Sequence, residues 1–275
     1  MLRALILGAV QGLTEFLPIS SSGHLVLVPF VLGWESGGGL QPGVPFDVAV
    51  HLGTALAVVA YFRRELWAMA AGAVRVVAGR GRGEDRDHAR LALLLLVGSI
   101  PAAAAGLLLE GFFEGLFAEP QIAGLLLLGT AALLLAGEAI HDRQGEPRRG
   151  LGELGVVDAL TVGAFQALAI APGISRSGAT IVAGLGRRLE RDAAARFSFL
   201  LGLPAIVGAG ILKVPDFPPG TDLVPVIGAT VIAAAAGFGA IAFLLRYLRS
   251  RTLRPFAVYC VLASAVALGF WLLTR

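Results

Sequence analysis

Gln11-Gly-Leu-Thr-Glu15-Phe-Leu-Pro18-Ile-Ser20-Ser21-Ser22-Gly23-His24 and Gln166-Ala-Leu-Ala-Ile-Ala-Pro172-Gly173-Ile-Ser175-Arg176-Ser177-Gly178-Ala179 decide the fold. With residue 11 placed over residue 166, six of the 14 positions coincide: Gln, Leu, Ile, Ser, Ser and Gly. Four of these form a single Ile-Ser-x-Ser-Gly block. Each copy interrupts an otherwise apolar stretch, 2–34 or 154–186, with Pro, Gly and Ser. Either half of such a stretch is too short to cross about 30 Å of hydrocarbon as a helix. Broken apolar segments are tolerated at membrane depth only where they line a cavity or are buried in protein. Both stretches therefore read as re-entrant helix-loop-helix elements.

Outward from these breaks, apolar runs occupy 46–62, 91–109, 121–140, 197–212, 223–245 and 255–273. Most reach the roughly 17–25 residues of a spanning helix, and 197–212 is slightly short. Three spans follow each break, an odd number, so the halves 1–145 and 146–275 take opposite orientations. The expected fold is an all-α integral membrane protein, one membrane domain of six transmembrane helices plus two re-entrant elements in an inverted-topology repeat. In such repeats the functional site lies near the midplane, where the two breaks meet. The composition agrees. The 275 residues are 56% hydrophobic and 15% charged, with a mean hydropathy of +0.80. Soluble domains carry about 25% charged residues, so an ordinary soluble enzyme and a disordered chain are both excluded. The net charge of +3 is no nucleic-acid footprint, because the arginines sit between apolar runs. A single cysteine, Cys260, excludes an intrachain disulfide and a zinc site built on paired cysteines. Met1-Leu2-Arg3 opens the first broken element without the cleavage site of a signal peptide.

Arginine placement predicts orientation. Segment 63–90 carries Arg63, Arg64, Arg75, Arg80, Arg82, Arg86 and Arg90, which assigns it to the cytoplasm, whereas 110–120 has Glu110, Glu114 and Glu119 but no Lys or Arg. Further clusters at Arg143–Arg149, Arg187–Arg196 and Arg246–Arg254 alternate with the Lys213 turn as six crossings require. The first broken element then opens to the outside and the second to the cytoplasm.

The breaks carry the chemistry. Gln11 and Glu15 are four apart, on one face of a helix that Pro18 ends. A carboxylate inside an apolar stretch is costly and marks a function by default. His24 follows in the first turn of the next helix, where the break brings it towards Glu15. Arg176 stands beside free backbone N–H groups at a helix start, a combination suited to phosphate. Ser20, Ser22 and Gly23 in the first break, with Ser175, Ser177, Gly178 and Thr180 in the second, are the candidate phosphate-binding residues. Serines at a helix start also read as N-caps, and Gly8 and Gly12 fit close helix packing. Asp47 and His51 read as capping or lining the cavity mouth, and Glu138 and His141 as interfacial. This set serves phosphoryl transfer inside a membrane, or binding and transport of a phosphate.

Gln11 to His24 resembles the first motif of the undecaprenyl-diphosphate phosphatase family, also called bacitracin-resistance proteins. Pro172-Gly-Ile-Ser-Arg176-Ser-Gly-Ala-Thr180 resembles the second, and the likeness covers essentially the whole chain. The resemblance implies an integral membrane hydrolase that removes the terminal phosphate of C55 prenyl diphosphate. That reaction regenerates the undecaprenyl phosphate carrier for peptidoglycan synthesis and confers bacitracin resistance. It further implies dependence on a divalent metal, Mg²⁺ or Ca²⁺, and a site open to the outer side of the cytoplasmic membrane. Its partners would be undecaprenyl diphosphate and the bilayer, with no nucleic acid. Glu15, Ser21, His24 and Arg176 match the family's catalytic positions. Glu15 with Gln11 matches its metal pair, although Gln11 supplies no charge where many members have Glu. The working mechanism has Ser21 attacking the terminal phosphorus, with direct attack by water as its competitor. A prenyl-phosphate flippase or secondary transporter is the second class.

Overall fold

The computed structural model describes residues 1–34, 44–109, 111–112, 116, 119–146, 148–213 and 222–274. Among them are eleven α-helices: α1 (Leu2–Phe16), α2 (Ser21–Val31), α3 (Val44–Tyr61), α4 (Arg63–Val77), α5 (Gly83–Leu108), α6 (Pro120–Gln144), α7 (Val156–Leu168), α8 (Arg176–Gly186), α9 (Arg191–Lys213), α10 (Leu223–Leu248) and α11 (Arg254–Leu273). Helices α5, α6, α9, α10 and α11 are long and apolar enough to cross a membrane. Helices α3 and α4, bent by 77° at their junction, make a sixth candidate if the pair is counted as one span. Large apolar side chains such as Leu96, Leu107, Val231 and Leu262 lie more than half exposed on these helices. Exposed apolar surface on that scale marks a membrane or partner contact, as expected of a multi-pass membrane protein.

Both broken stretches are broken. The first gives α1 and α2, separated at Leu17–Ser20, and the second gives α7 and α8, separated at Ala169–Ser175. These helices have 15, 11, 13 and 11 residues, about 16–23 Å at 1.5 Å per residue, so none spans alone. The second helix of each pair starts on a capping serine. The Ser20 side chain accepts from Gly23 N at 3.2 Å, and the Ser175 side chain accepts from Gly178 N at 3.1 Å. Ser20 does so at φ +69°, left-handed backbone that costs a residue with a side chain.

The halves pack through small residues. A Cβ on Gly8 of α1 would strike the Ala229 carbonyl of α10, and one on Gly163 of α7 would strike the Gly98 carbonyl of α5. Under the offset that aligns the motifs, Gly8 and Gly163 are the same position. A core of Phe16, Phe62, Phe197, Phe199, Leu127 and Leu134 fills the space between helices. Phe16 and Phe199 meet edge-on, with centroids 5.3 Å apart.

Segment 63–90, which the arginine count assigns to the cytoplasm, is mostly helix: α4 is amphipathic and buries Met69 and Gly72, the latter against Asp85 and His88 at the start of α5. One sequence expectation is corrected. Glu138 and His141 are fully buried rather than interfacial. Glu138 accepts from Arg191 Nη2 at 2.5 Å and from Leu253 N at 2.8 Å, and so ties α6 to α9 and to the start of α11. Asp158 likewise accepts two bonds from Arg149, at 2.8 and 2.9 Å, and one from Arg187 at 2.6 Å.

Candidate active site

Glu15 sits in the last turn of α1, 5% exposed. Its Oε2 accepts from Gln11 Nε2 at 2.9 Å and from Ser21 Oγ at 2.5 Å. Its Oε1 accepts from Arg176 Nη2 at 2.6 Å. His51 of α3 places Nε2 3.6 Å from Oε2. Four side chains from three further helix segments and α1 itself thus converge on one buried carboxylate. The two motifs that sequence placed at separate breaks are in direct contact.

Under the offset that aligns the motifs, Ser21 and Arg176 hold equivalent positions, each the first residue of the helix that follows a break, after its capping serine. The two loops are hydrogen-bonded to each other. Ser20 Oγ donates to Ile174 O at 3.4 Å, and Ser177 Oγ donates to Leu17 O at 3.1 Å. Thr130 of α6 fastens the second loop, donating to Gly173 O at 2.7 Å and accepting from Ser175 N at 2.8 Å. Arg176 is not turned to a surface. Its Nη1 donates to Ser198 O at 3.4 Å, and the guanidinium lies against Gly202 of α9. A side chain at 202 would occupy the guanidinium's place.

Several predicted residues have other work. Ser175, Ser177 and Thr180 are at most 1% exposed and spend their hydroxyls on protein partners. Ser175 caps α8, and Thr180 donates to Arg176 O at 2.7 Å and pairs with the Ser198 hydroxyl at 2.6 Å. Gly178 N is taken by the Ser175 cap, and Gly23 N by the Ser20 cap. These residues shape the loops that aim Ser21 and Arg176. Ser22 is partly exposed and lies 3.3 Å from the Ser20 hydroxyl. His24 does not bond to Glu15. Its Nδ1 meets Ser20 O at 2.7 Å, and its Nε2 meets the hydroxyl of Tyr259 at 2.8 Å, with the two rings stacked. Sequence reading missed Tyr259, Ser198, Thr130 and Gly202, which come from helices that read as plain spans. It placed His51 only at the mouth, although an ionisable residue within run 46–62 carried the same signal as Glu15.

The family model for bacitracin resistance protein BacA matches residues 4–266. The chain belongs to that family. Among relatives, the undecaprenyl-diphosphatase of Pelobacter propionicus is 43% identical, over 98% of this chain and 96% of its own length. That of Moorella thermoacetica is 44% identical, over 99% and 98%, and that of Nocardioides sp. is 38% identical, over 97% and 95%. The BacA match takes in both motifs and every residue at the Glu15 carboxylate.

Gly202→Ala is expected to lose about 10²-fold in kcat, the scale of removing one preorganised donor. The added methyl displaces the Arg176 guanidinium without touching Glu15 or Ser21. Steady-state kinetics alongside thermal unfolding checks this. Full turnover in Gly202→Ala would mean that the site does not depend on where the guanidinium sits.

Proposed function

We infer that this chain is an undecaprenyl-diphosphatase, hydrolysing undecaprenyl diphosphate to the monophosphate carrier used in cell-wall synthesis and so conferring bacitracin resistance. The observation that carries the mechanism is the Ser21–Glu15–Arg176 arrangement: hydroxyl, carboxylate and guanidinium in one line of hydrogen bonds at 2.5 and 2.6 Å. A hydroxyl nucleophile needs an adjacent base, and Glu15 accepts its proton directly. Arg176 keeps donors beyond the one given to Glu15 and binds the equatorial oxygens of the transferred phosphoryl group, stabilising charge that grows in the transition state. Ser21 Oγ attacks the terminal phosphorus, Glu15 takes its proton, and the prenyl monophosphate leaves.

The divalent cation that the family resemblance implies does not fit a cage at Glu15 and Gln11. Both oxygens of Glu15 already accept from donors, and the Arg176 guanidinium balances its charge. Gln11 Oε1 is buried without a partner, but one amide oxygen falls far short of the six or more oxygens, or the mostly water shell, that Ca²⁺ and Mg²⁺ take.

The matching local geometry of the two breaks supports an inverted repeat with halves at 1–145 and 146–275. Six crossings then include α3, which α4 continues into the cytoplasmic segment 63–90, and α1–α2 and α7–α8 are the re-entrant elements. The arginine clusters support a site open to the outer face of the cytoplasmic membrane. Cysteines introduced singly at 82 and 119, in Cys260→Ala protein, test that orientation. An impermeant thiol reagent added outside is expected to label 119 and not 82, and the reverse pattern would invert the protein.

A prenyl-phosphate flippase or transporter fits the repeat as well, but gives no reason for a hydroxyl held on a carboxylate. Phosphate release from undecaprenyl diphosphate in detergent, with no gradient, is expected with Mg²⁺ or Ca²⁺ present. No release in micelles, with lipid phosphate moving across liposomes, would replace the enzyme by the transporter.

A further inference from the structure

We propose that His51 is the general base that activates the hydrolytic water in the second half of the reaction. The inference rests on Ser21 being the nucleophile. In the first half, Ser21 Oγ bonds to the terminal phosphorus and the bond from phosphorus to the bridging oxygen breaks. The prenyl monophosphate leaves with that electron pair, and the hydroxyl proton passes to Glu15 Oε2. In the second half, a water oxygen bonds to the same phosphorus, the bond from phosphorus to Oγ breaks, and Oγ recovers its proton from Glu15. Glu15 enters this step already protonated and gives that proton back to Ser21. The proton of the attacking water needs a second acceptor.

Gln11 and Arg176 are donors to Glu15 and have no lone pair to offer at nitrogen. His24 faces Ser20 O with one ring nitrogen and the Tyr259 hydroxyl with the other. His51 is placed for the task. Its Nδ1 lies 2.7 Å from Asp47 O, and a carbonyl oxygen only accepts, so Nδ1 carries the hydrogen. In the neutral ring the lone pair is then at Nε2. That atom stands 3.6 Å from Glu15 Oε2, the oxygen that holds Ser21 at 2.5 Å. His51 Nε2 and Ser21 Oγ are therefore no further apart than the sum of those distances, within reach of one water attacking a phosphorus carried on Oγ. The His51 side chain is 30% exposed against 4% for Glu15. It can pass the proton on to solvent, which Glu15 cannot do directly. Asp47, one helical turn earlier on α3, brings a carboxylate towards the imidazolium that forms.

The test follows the phosphoenzyme. Wild type, His51→Gln and His51→Ala are mixed with undecaprenyl diphosphate radiolabelled in its terminal phosphate, quenched in acid and assayed for label on Ser21. Both variants are expected to lose about 10²-fold or more in kcat, the scale of a general base. They should also accumulate labelled Ser21 towards one per enzyme, and added imidazole should restore dephosphorylation in His51→Ala. A packing role would give neither label nor rescue. Turnover lost without label, or turnover kept, overturns the assignment. The stereochemical course at phosphorus in wild type separates the two layers. Retention supports the double displacement, so retention without accumulation in the variants removes His51 alone. Inversion removes the Ser21 nucleophile and this proposal with it.

Discussion

Glu15→Gln is expected to lose about 10²–10⁴-fold in kcat, the range of a positioned general base. The amide can still accept from Ser21, but it cannot take the hydroxyl proton. The substitution also strips Arg176 of its counter-charge. Arg176 is 16% exposed at the side chain and Glu15 4%. Removing one partner of a buried pair costs about 3–5 kcal/mol where no water reaches the survivor, and less at this partly open site. A fall in thermal stability should therefore accompany the loss of turnover. Glu15→Asp separates the two effects. It keeps the charge facing Arg176 and so the stability, but withdraws the carboxylate from Ser21, and misplacement of about 1 Å costs on the order of 10². The measurements are kcat and detergent-solubilised thermal unfolding for both variants. Near-normal turnover in a folded Glu15→Gln would return this carboxylate to a packing role.

Arg176→Lys should cost about 10²–10³ in kcat, on the order of 3–4 kcal/mol, by analogy with loss of one preorganised oxyanion donor. The ammonium can, as a point charge, keep an ion pair to Glu15, which Arg176 Nη2 makes at 2.6 Å. It cannot at the same time donate to Ser198 O and present a planar fork to two phosphate oxygens. Stability should hardly change, since the counter-charge survives, and this distinguishes the variant from Glu15→Gln. Steady-state kinetics on folded protein decides: a Lys variant with more than about a third of wild-type kcat would remove the transition-state role from Arg176.

Much of this molecule is local, and local features are legible in a chain. The two breaks at Pro18 and Pro172, the capping serines Ser20 and Ser175 and the lengths of the apolar runs each follow from a few neighbouring residues and the thickness of a bilayer. Glu15 stood out for the same kind of reason, because a carboxylate in an apolar run is costly wherever the run ends up. The duplicated Ile-Ser-x-Ser-Gly block puts Ser21 and Arg176 in matching places, and both begin the helices that follow the breaks.

What only the tertiary structure decided is which side chains from other helices reach that carboxylate. Whether His51 faces Glu15 or the lipid depends on the rotation of α3 about its axis. That rotation is set by contacts such as Gly53 against Thr230 of α10, which no periodicity within 46–62 reports. The same holds for Tyr259, whose helix is otherwise an unbroken apolar span and whose hydroxyl lies 2.8 Å from His24 Nε2. Glu138 read as interfacial because it lies near a helix end, yet the packing of α9 and α11 over that end buries it completely. The serines and Thr180 read as open hydroxyls because a sequence cannot tell which donors the folded loops will consume. Short-range chemistry fixes where the chain breaks; the depth and rotation of packed helices, set by close backbone contacts between distant residues, fix what the breaks can do.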